Sequence, residues 1–195
     1  CDTVSAFQLF HSVAGGTGAG VGLMILELLA DRHPKKLVPT FLVFPLSERA
    51  LDVVVQPYNT VLTLQRLIEF ASATFVFDND ALISIENNLY GMKDTLAFAG
   101  ANKLIAHVAA TILNPLRFPT YMYLLYDSIL SSLVLTPDLK FLTSLVTPRI
   151  SSGGQNDHDI LLELCSEKYK THRVLDSNVA ANLKYLGIPA FLPRL

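Results

Sequence analysis

The chain has 195 residues, enough for one large domain or one and a half small ones, and is 51% apolar but only 16% charged, against about 25% charged in ordinary globular chains. Its net charge of −2 excludes the basic field that nucleic acid requires, and the pair Lys35-Lys36 reads as a solvated turn. No apolar run reaches the roughly eighteen residues of a membrane span, no signal peptide is expected, and two cysteines, Cys1 and Cys165, suggest neither a disulfide scaffold nor a zinc site.

The first half alternates short apolar runs with helical patterns. Strands are expected at 7–13, 37–44, 52–55 and 73–77, and helices at 21–32, 58–71 and 79–89, the first of these stopped by Pro34. The alternation predicts an α/β fold with a doubly wound, mostly parallel sheet. Phe41-Leu42-Val43-Phe44 and Ala73-Thr74-Phe75-Val76-Phe77 are apolar on both faces, as a sheet covered on both sides requires. A longer helix over 100–113 is expected to end or kink at Asn114-Pro115. Residues 122–134 read as a helix, 139–146 as a strand and 157–169 as a helix capped by Asn156-Asp157-His158-Asp159, where no second ligand cluster supports a metal. Internal repeats are absent.

The chemistry concentrates in Ala14-Gly15-Gly16-Thr17-Gly18-Ala19-Gly20, between the first strand and the first helix. Glycines let a backbone approach a ligand closely, and loop N–H groups together with a helix N-terminus favour negative charge. The expected ligand is a phosphate chain, set where the carboxyl ends of the strands meet the helix N-termini. A P-loop is excluded, because Val21 and Gly22 follow Gly20 where Lys and Ser or Thr are needed. The dinucleotide fingerprint fails as well, with Val21 or Leu23 at its third glycine. That absence weakens the rival reading of a nucleotide-dependent oxidoreductase.

Ala14 to Gly20 resembles, at every position, the [A/G/S]-G-G-T-G-[S/A]-G signature of tubulins and their bacterial cell-division homologues. Pro34-Lys35-Lys36-Leu37, Gln56-Pro57-Tyr58-Asn59-Thr60, Asp78-Asn79-Asp80-Ala81-Leu82, Asn102-Lys103-Leu104 and Arg117-Phe118-Pro119-Thr120-Tyr121-Met122 resemble further tubulin segments in the same order. Gln56, where α- and β-tubulins carry glutamate, the Pro-Lys-Lys-Leu string and Arg-Phe-Pro-x-Tyr-Met are similar to the γ branch of the superfamily, and Tyr121-Met122-Tyr123 resembles its budding-yeast-type members. The likeness is close over 7–148 and loose beyond. It implies a partial chain: 1–98 as the C-terminal part of a GTP-binding domain, 99–118 as the central connecting helix, and 119–195 as the start of an α+β intermediate domain. The low charge, the start at Cys1 and the stop at Pro193-Arg194-Leu195 carry the same expectation of a fragment.

The resemblance also implies roles by residue. Ala14, Gly15, Gly16, Thr17, Gly18, Ala19 and Gly20 correspond to the phosphate contacts of GTP or GDP, Asp52 and Gln56 to ribose contacts, and Asn79, Phe98 and Asn102 to guanine contacts. An asparagine amide offers both a donor and an acceptor to the mixed edge of guanine, and an aromatic ring offers a stacking face. Without the resemblance, Asn79 reads as a helix cap and Phe98 as core, while Asp52 and Gln56 read equally as loop polar residues after a strand. Mg2+ is expected with the nucleotide, its ligands outside this chain. Ser128, beside Asp127, stands where α-tubulins carry the glutamate that activates a neighbour's GTP, so no catalytic residue is expected here and hydrolysis should be at most slow and assembly-linked. The implied function is GTP-dependent nucleation of microtubules with γ-tubulin complex proteins and α/β-tubulin heterodimers, with lateral self-association, in the cytoplasm at a spindle pole body or centrosome. An α/β-tubulin-like or bacterial division-type polymerising subunit is the alternative within the superfamily.

Overall fold

A computed structural model describes residues 4–46, 53–90, 98–118, 125–146 and Thr171. Strand β1 (Leu9–Ser12) leads into helix α1 (Gly16–Arg32), then β2 (Pro39–Phe44), α2 (Gln56–Phe70), β3 (Ala73–Asp78) and α3 (Asn79–Tyr90). Helices α4 (Ala99–Arg117) and α5 (Tyr126–Leu133) precede β4 (Phe141–Thr143). The four strands pair in parallel in the order β1-β2-β3-β4, as the expected α/β class requires.

Alternation along the strands divides the core in two. Phe41, Phe75 and Phe77 face α3, α4 and α5, packing with Leu82, Ile85, Leu104, Val108, Tyr126 and Leu130. Val13, Val38 and Leu42 face α1 and α2 and pack on Leu26 and Leu67. Register sets an aromatic row: Phe10 lies opposite Phe41, and Phe41 opposite Phe75, with ring centroids 4.4 and 4.9 Å apart. On the other face the in-register pair Thr40 and Thr74 is buried and self-satisfied, Thr40 Oγ1 lying 3.0 Å from Thr74 Oγ1. Thr171 continues the pattern, its backbone accepting from Asp78 N–H and its hydroxyl donating to Val76 O at 3.1 Å.

Several sequence expectations need correction. Helix α1 begins at Gly16 rather than residue 21, so most of the glycine run is its first turns. Glycine's low helix propensity had placed it in a loop, but its terminal position makes that cost small. Residues 53–55 form a turn closed by Gln56 N–H on Val53 O, not a strand. Val54 is 82% exposed, so this apolar triplet has no sheet to bury it. Helix α4 runs through Pro115 to Arg117, since a proline one turn from the end removes a single ladder bond. Helix α5 starts at Tyr126, and β4 is three residues long. The helix expected over 157–169, with its cap at 156–159, lies outside the described residues.

Candidate functional site

All strands being parallel, the carboxyl ends of β1 and β3 emerge on one edge of the sheet, carrying the starts of α1 and α3. Gly15 is the N-cap of α1, with extended φ and ψ of −76° and 149° and no side-chain cap. Ala19 N–H closes the first helical bond on Gly15 O at 3.0 Å, which leaves the backbone donors of Gly16, Thr17 and Gly18 to other partners. No acidic residue occupies this first turn. The dipole and three N–H groups without a hydrogen-bond partner among the described residues therefore make the turn receptive to an anion.

The glycines divide by what surrounds them. A Cβ on Gly18 would sit 2.6 Å from Ser12 Oγ, 2.8 Å from Ser12 O and 3.0 Å from Ser12 N, and one on Gly15 would sit 2.9 Å from Ser12 Oγ. These two glycines let the turn fold down onto β1. A Cβ on Gly16 or Gly20 would meet nothing within 4 Å. The fold does not demand glycine there, and the space is open to a ligand. Thr17 is exposed beside them, and Ala14 and Ala19 are buried. Ser12, exposed and placed under Gly15 and Gly18, joins the site without having been expected from sequence; only its position at the end of β1, two residues before the motif, could have signalled it.

Gln56 opens α2. Its Oε1 is buried and has no hydrogen-bond partner among the described residues. Asp52 lies outside the described residues. Asn59, one turn on, donates from Nδ2 to Ala14 O at 3.2 Å and ties α2 to the glycine turn.

Asn79 is the first residue of α3, but it is not the cap. Asp78 Oδ1 accepts from Asp80 N–H at 3.1 Å and takes that task, leaving the half-buried Asn79 amide for other use. Phe98 occupies the N-cap position of α4 and is 40% exposed, so it is not a core residue. Asn102 is exposed on the first turns of α4, and Asn102 N–H donates to Phe98 O at 2.8 Å. Helices α3 and α4 lie side by side, the Glu86 carboxylate filling the space beside Gly100. The structure thus joins the glycine turn to α2 and joins Phe98 to Asn102 on α4. Among the described residues it places no direct hydrogen bond between the Asn79 and Asn102 amides.

His11, on β1 just before Ser12, sits against Gly22, where a Cβ would be 3.3 Å from its ring. Its Nδ1 donates to Ser12 O at 3.2 Å, which leaves Nε2 an unprotonated, buried acceptor with no partner among the described residues. Burial pushes its pKa below the ordinary imidazole value, outweighing the hydrogen bond to Ser12. Ser128 is half-buried in the first turn of α5 with Asp127 exposed beside it, and Gln8 Nε2 anchors that turn by donating to Tyr126 Oη at 3.0 Å. A cavity of about 430 Å3 between Gln8, Leu113, Leu116 and Tyr126 includes none of the residues expected to bind nucleotide. Among the described residues no group of three His, Cys, Asp or Glu could hold a metal, and no helix is long and apolar enough to cross a membrane.

Comparison with known proteins addresses the family of the chain. Residues 1–87 match the profile of the Tubulin/FtsZ family, GTPase domain. A tubulin gamma chain of Candida albicans is 54% identical over 196 aligned residues, covering 95% of this chain and 39% of that protein. Tubulin gamma chains of Eremothecium gossypii and Saccharomyces cerevisiae are 48% and 43% identical over 81% and 84% of this chain, and 35% and 36% of their own lengths. The chain thus spans about two fifths of the length of the curated relatives it matches. The family match over residues 1–87 and the 54% identity over 95% of the chain mean that the chain belongs to the tubulin family, with its likeness to gamma chains.

Proposed function

We propose that this chain supplies phosphate, ribose and base contacts for GTP or GDP in a γ-tubulin-like protein that seeds microtubules. The observation that carries the reading is the turn over Ser12: unused N–H groups at the start of α1, with open space over Gly16 and Gly20. In this reading the backbone of residues 15–20 cradles the phosphates and Thr17 adds a hydroxyl donor. Gln56 Oε1 accepts from a ribose hydroxyl, with Asp52 as its companion. Asn79 and Asn102 address the edge of guanine, and Phe98 stacks on its face. A bound base would bridge two amides that the fold itself leaves unlinked. Mg2+ would accompany the phosphates on ligands outside this chain.

Ser128 supports a template rather than a fast GTPase. Helix α5 presents a hydroxyl where a carboxylate would be needed to act as a base towards a neighbour's nucleotide. The partners that suit such a subunit are γ-tubulin complex proteins, α/β-tubulin heterodimers and lateral copies of itself, at a microtubule-organising centre such as a spindle pole body or centrosome. The division at 98/99 and 118/119 into nucleotide domain, connecting helix and intermediate domain belongs to the same proposal. The test is competition binding at the protein's natural length. GTP and GDP should displace a fluorescent GDP analogue at least about tenfold better than ATP, since each unpaired buried amide penalises the wrong base by roughly 1–3 kcal/mol. Equal displacement by ATP would overturn the base assignment.

A further inference from the structure

We propose that Asn59 and Thr63 are positioning residues that lock the glycine turn to α2, so that the phosphate and ribose sides of the site are held at one fixed spacing. The inference rests on the nucleotide reading above. Asn59 Nδ2 donates to Ala14 O at 3.2 Å, across 45 residues of chain. Thr63, fully buried one turn further on, donates to Asn59 O at 2.7 Å and shares its proton with Val13 O at 3.3 Å. Val13 N–H is itself fixed to Val43 O of β2 at 3.1 Å. Consecutive carbonyls at the end of β1 are therefore held by consecutive turns of α2. The residue that follows them is Gly15, the N-cap on which the anion-receptive turn is built.

The same helix begins with Gln56, whose carbonyl accepts from Thr60 Oγ1 at 2.9 Å while its Oε1 stays unsatisfied. From Gln56 to Asn59 is three residues, or about 4.5 Å of helix. A displacement of α2 that moved Gln56 would pull on Ala14 through Asn59. Such linkage makes the two halves of the site respond as one: ligand on the phosphate side steadies the ribose side, and the reverse. Simple packing of α2 on the sheet does not need it, because Leu67 and its apolar neighbours already bury that face. A helix side chain spent on a strand-end carbonyl outside the ladder is a contact for the turn.

The experiment uses the protein at its natural length, with Asn59→Leu and Thr63→Val removing the donors at nearly constant volume and Thr63→Ser keeping the hydroxyl. GTP, GDP and guanosine are titrated against a fluorescent GDP analogue, and amide hydrogen exchange of residues 14–20 is followed without nucleotide. Asn59→Leu should weaken GTP about tenfold and guanosine less than about twofold, since guanosine has no phosphate to engage the turn. Exchange in the turn should rise about tenfold, and Thr63→Ser should behave as the parent while Thr63→Val follows Asn59→Leu. Parallel losses for GTP and guanosine would overturn the positioning role, as would unchanged exchange in the turn. A parent protein that binds no guanine compound would overturn the nucleotide reading alone; faster exchange in Asn59→Leu would then still uphold the lock.

Discussion

Gly16 and Gly18 are alike in sequence and opposite in structure, which allows fold and ligand to be separated by two substitutions. Gly18→Ala places a methyl 2.6 to 3.0 Å from the hydroxyl, carbonyl and amide of Ser12, two of which are backbone and cannot rotate away. Overpacking of this kind costs up to about 3 kcal/mol, offset by at most about 1 kcal/mol of helix propensity. The net loss of about 2 kcal/mol should lower Tm by roughly 4–8 °C in a protein of this size class. Gly16→Ala meets nothing within 4 Å, so its Tm should be unchanged or slightly raised. Its methyl nevertheless stands over the N–H groups assigned to phosphate, and losing one charge-assisted hydrogen bond of about 1.5–3 kcal/mol would weaken GTP about 10- to 100-fold. Thermal melts and GTP titrations on both variants decide the matter. A Gly16→Ala protein that binds GTP like the parent would refute the cradle, and a Gly18→Ala protein that melts like the parent would refute the packing argument.

Thr17→Ala should weaken GTP less than Gly16→Ala in the same titration, because one hydroxyl is lost and the backbone donors remain. Because the folded-state pKa of His11 is depressed, the unfolded chain takes up its proton first as pH falls. The contribution of neutral His11 to stability is then complete above about 6.5 and is lost between that value and the lower folded pKa; pH-dependent denaturant melts should show this loss in the parent and not in His11→Leu. The 195-residue chain alone should self-associate and bind an apolar dye, since Val21, Met24, Ile25 and Leu28 form an exposed helical stripe; light scattering should show Met24→Glu with Leu28→Lys to be more monomeric. Ser128→Glu should raise GTP hydrolysis in assemblies by about 10²–10⁴, and a parent already as fast would place the activating group elsewhere, with Asp127 the first suspect.

Much of the fold is legible because both-face apolar runs and proline or glycine stops are local signals. Phe41-Leu42-Val43-Phe44 reads as a covered strand, and it pairs with residues 75–78 in register. What escaped was decided by specific contacts that composition and propensity do not show. Val53, Val54 and Val55 have the composition of a strand, but Pro57 and the bond from Gln56 N–H to Val53 O turn them into the approach to α2. The start of α1 escaped because propensity counts each glycine against a helix, whereas close approach to Ser12 rewards Gly15 and Gly18 at that spot. Within the candidate site, likeness supplies the motif and Asn79 and Asn102 as expectations, but it gives no part to Ser12, Asn59 or Thr63. Serine at a strand end and polar residues in a helix are too common to stand out. Only the contacts across 45 and 50 residues give Asn59 and Thr63 a role, and only the closeness of Gly15 and Gly18 gives Ser12 one.

Three features of the site have no explanation in folding. Gly16 and Gly20 forgo a side chain although nothing crowds them, and each gives up helix propensity by doing so. Gln56 buries a carbonyl oxygen without a donor among the described residues, a state that costs about 1–3 kcal/mol when left uncompensated. Asn79 stands at a helix start where its amide could cap, yet the adjacent Asp78 does the capping. Each departs from what a chain selected for stability alone would carry, and strain or idle polarity of this kind collects where a ligand is bound. The three come from separate stretches, around residues 16, 56 and 79, and two of these sit at the carboxyl ends of parallel strands while the third is tied to them through Asn59. A phosphate chain, a sugar and a base are chemically distinct demands, and in the site proposed above the open space, the Gln56 acceptor and the Asn79 amide would answer them in that order. One bound nucleotide would then account for all three features, which no single structural role does.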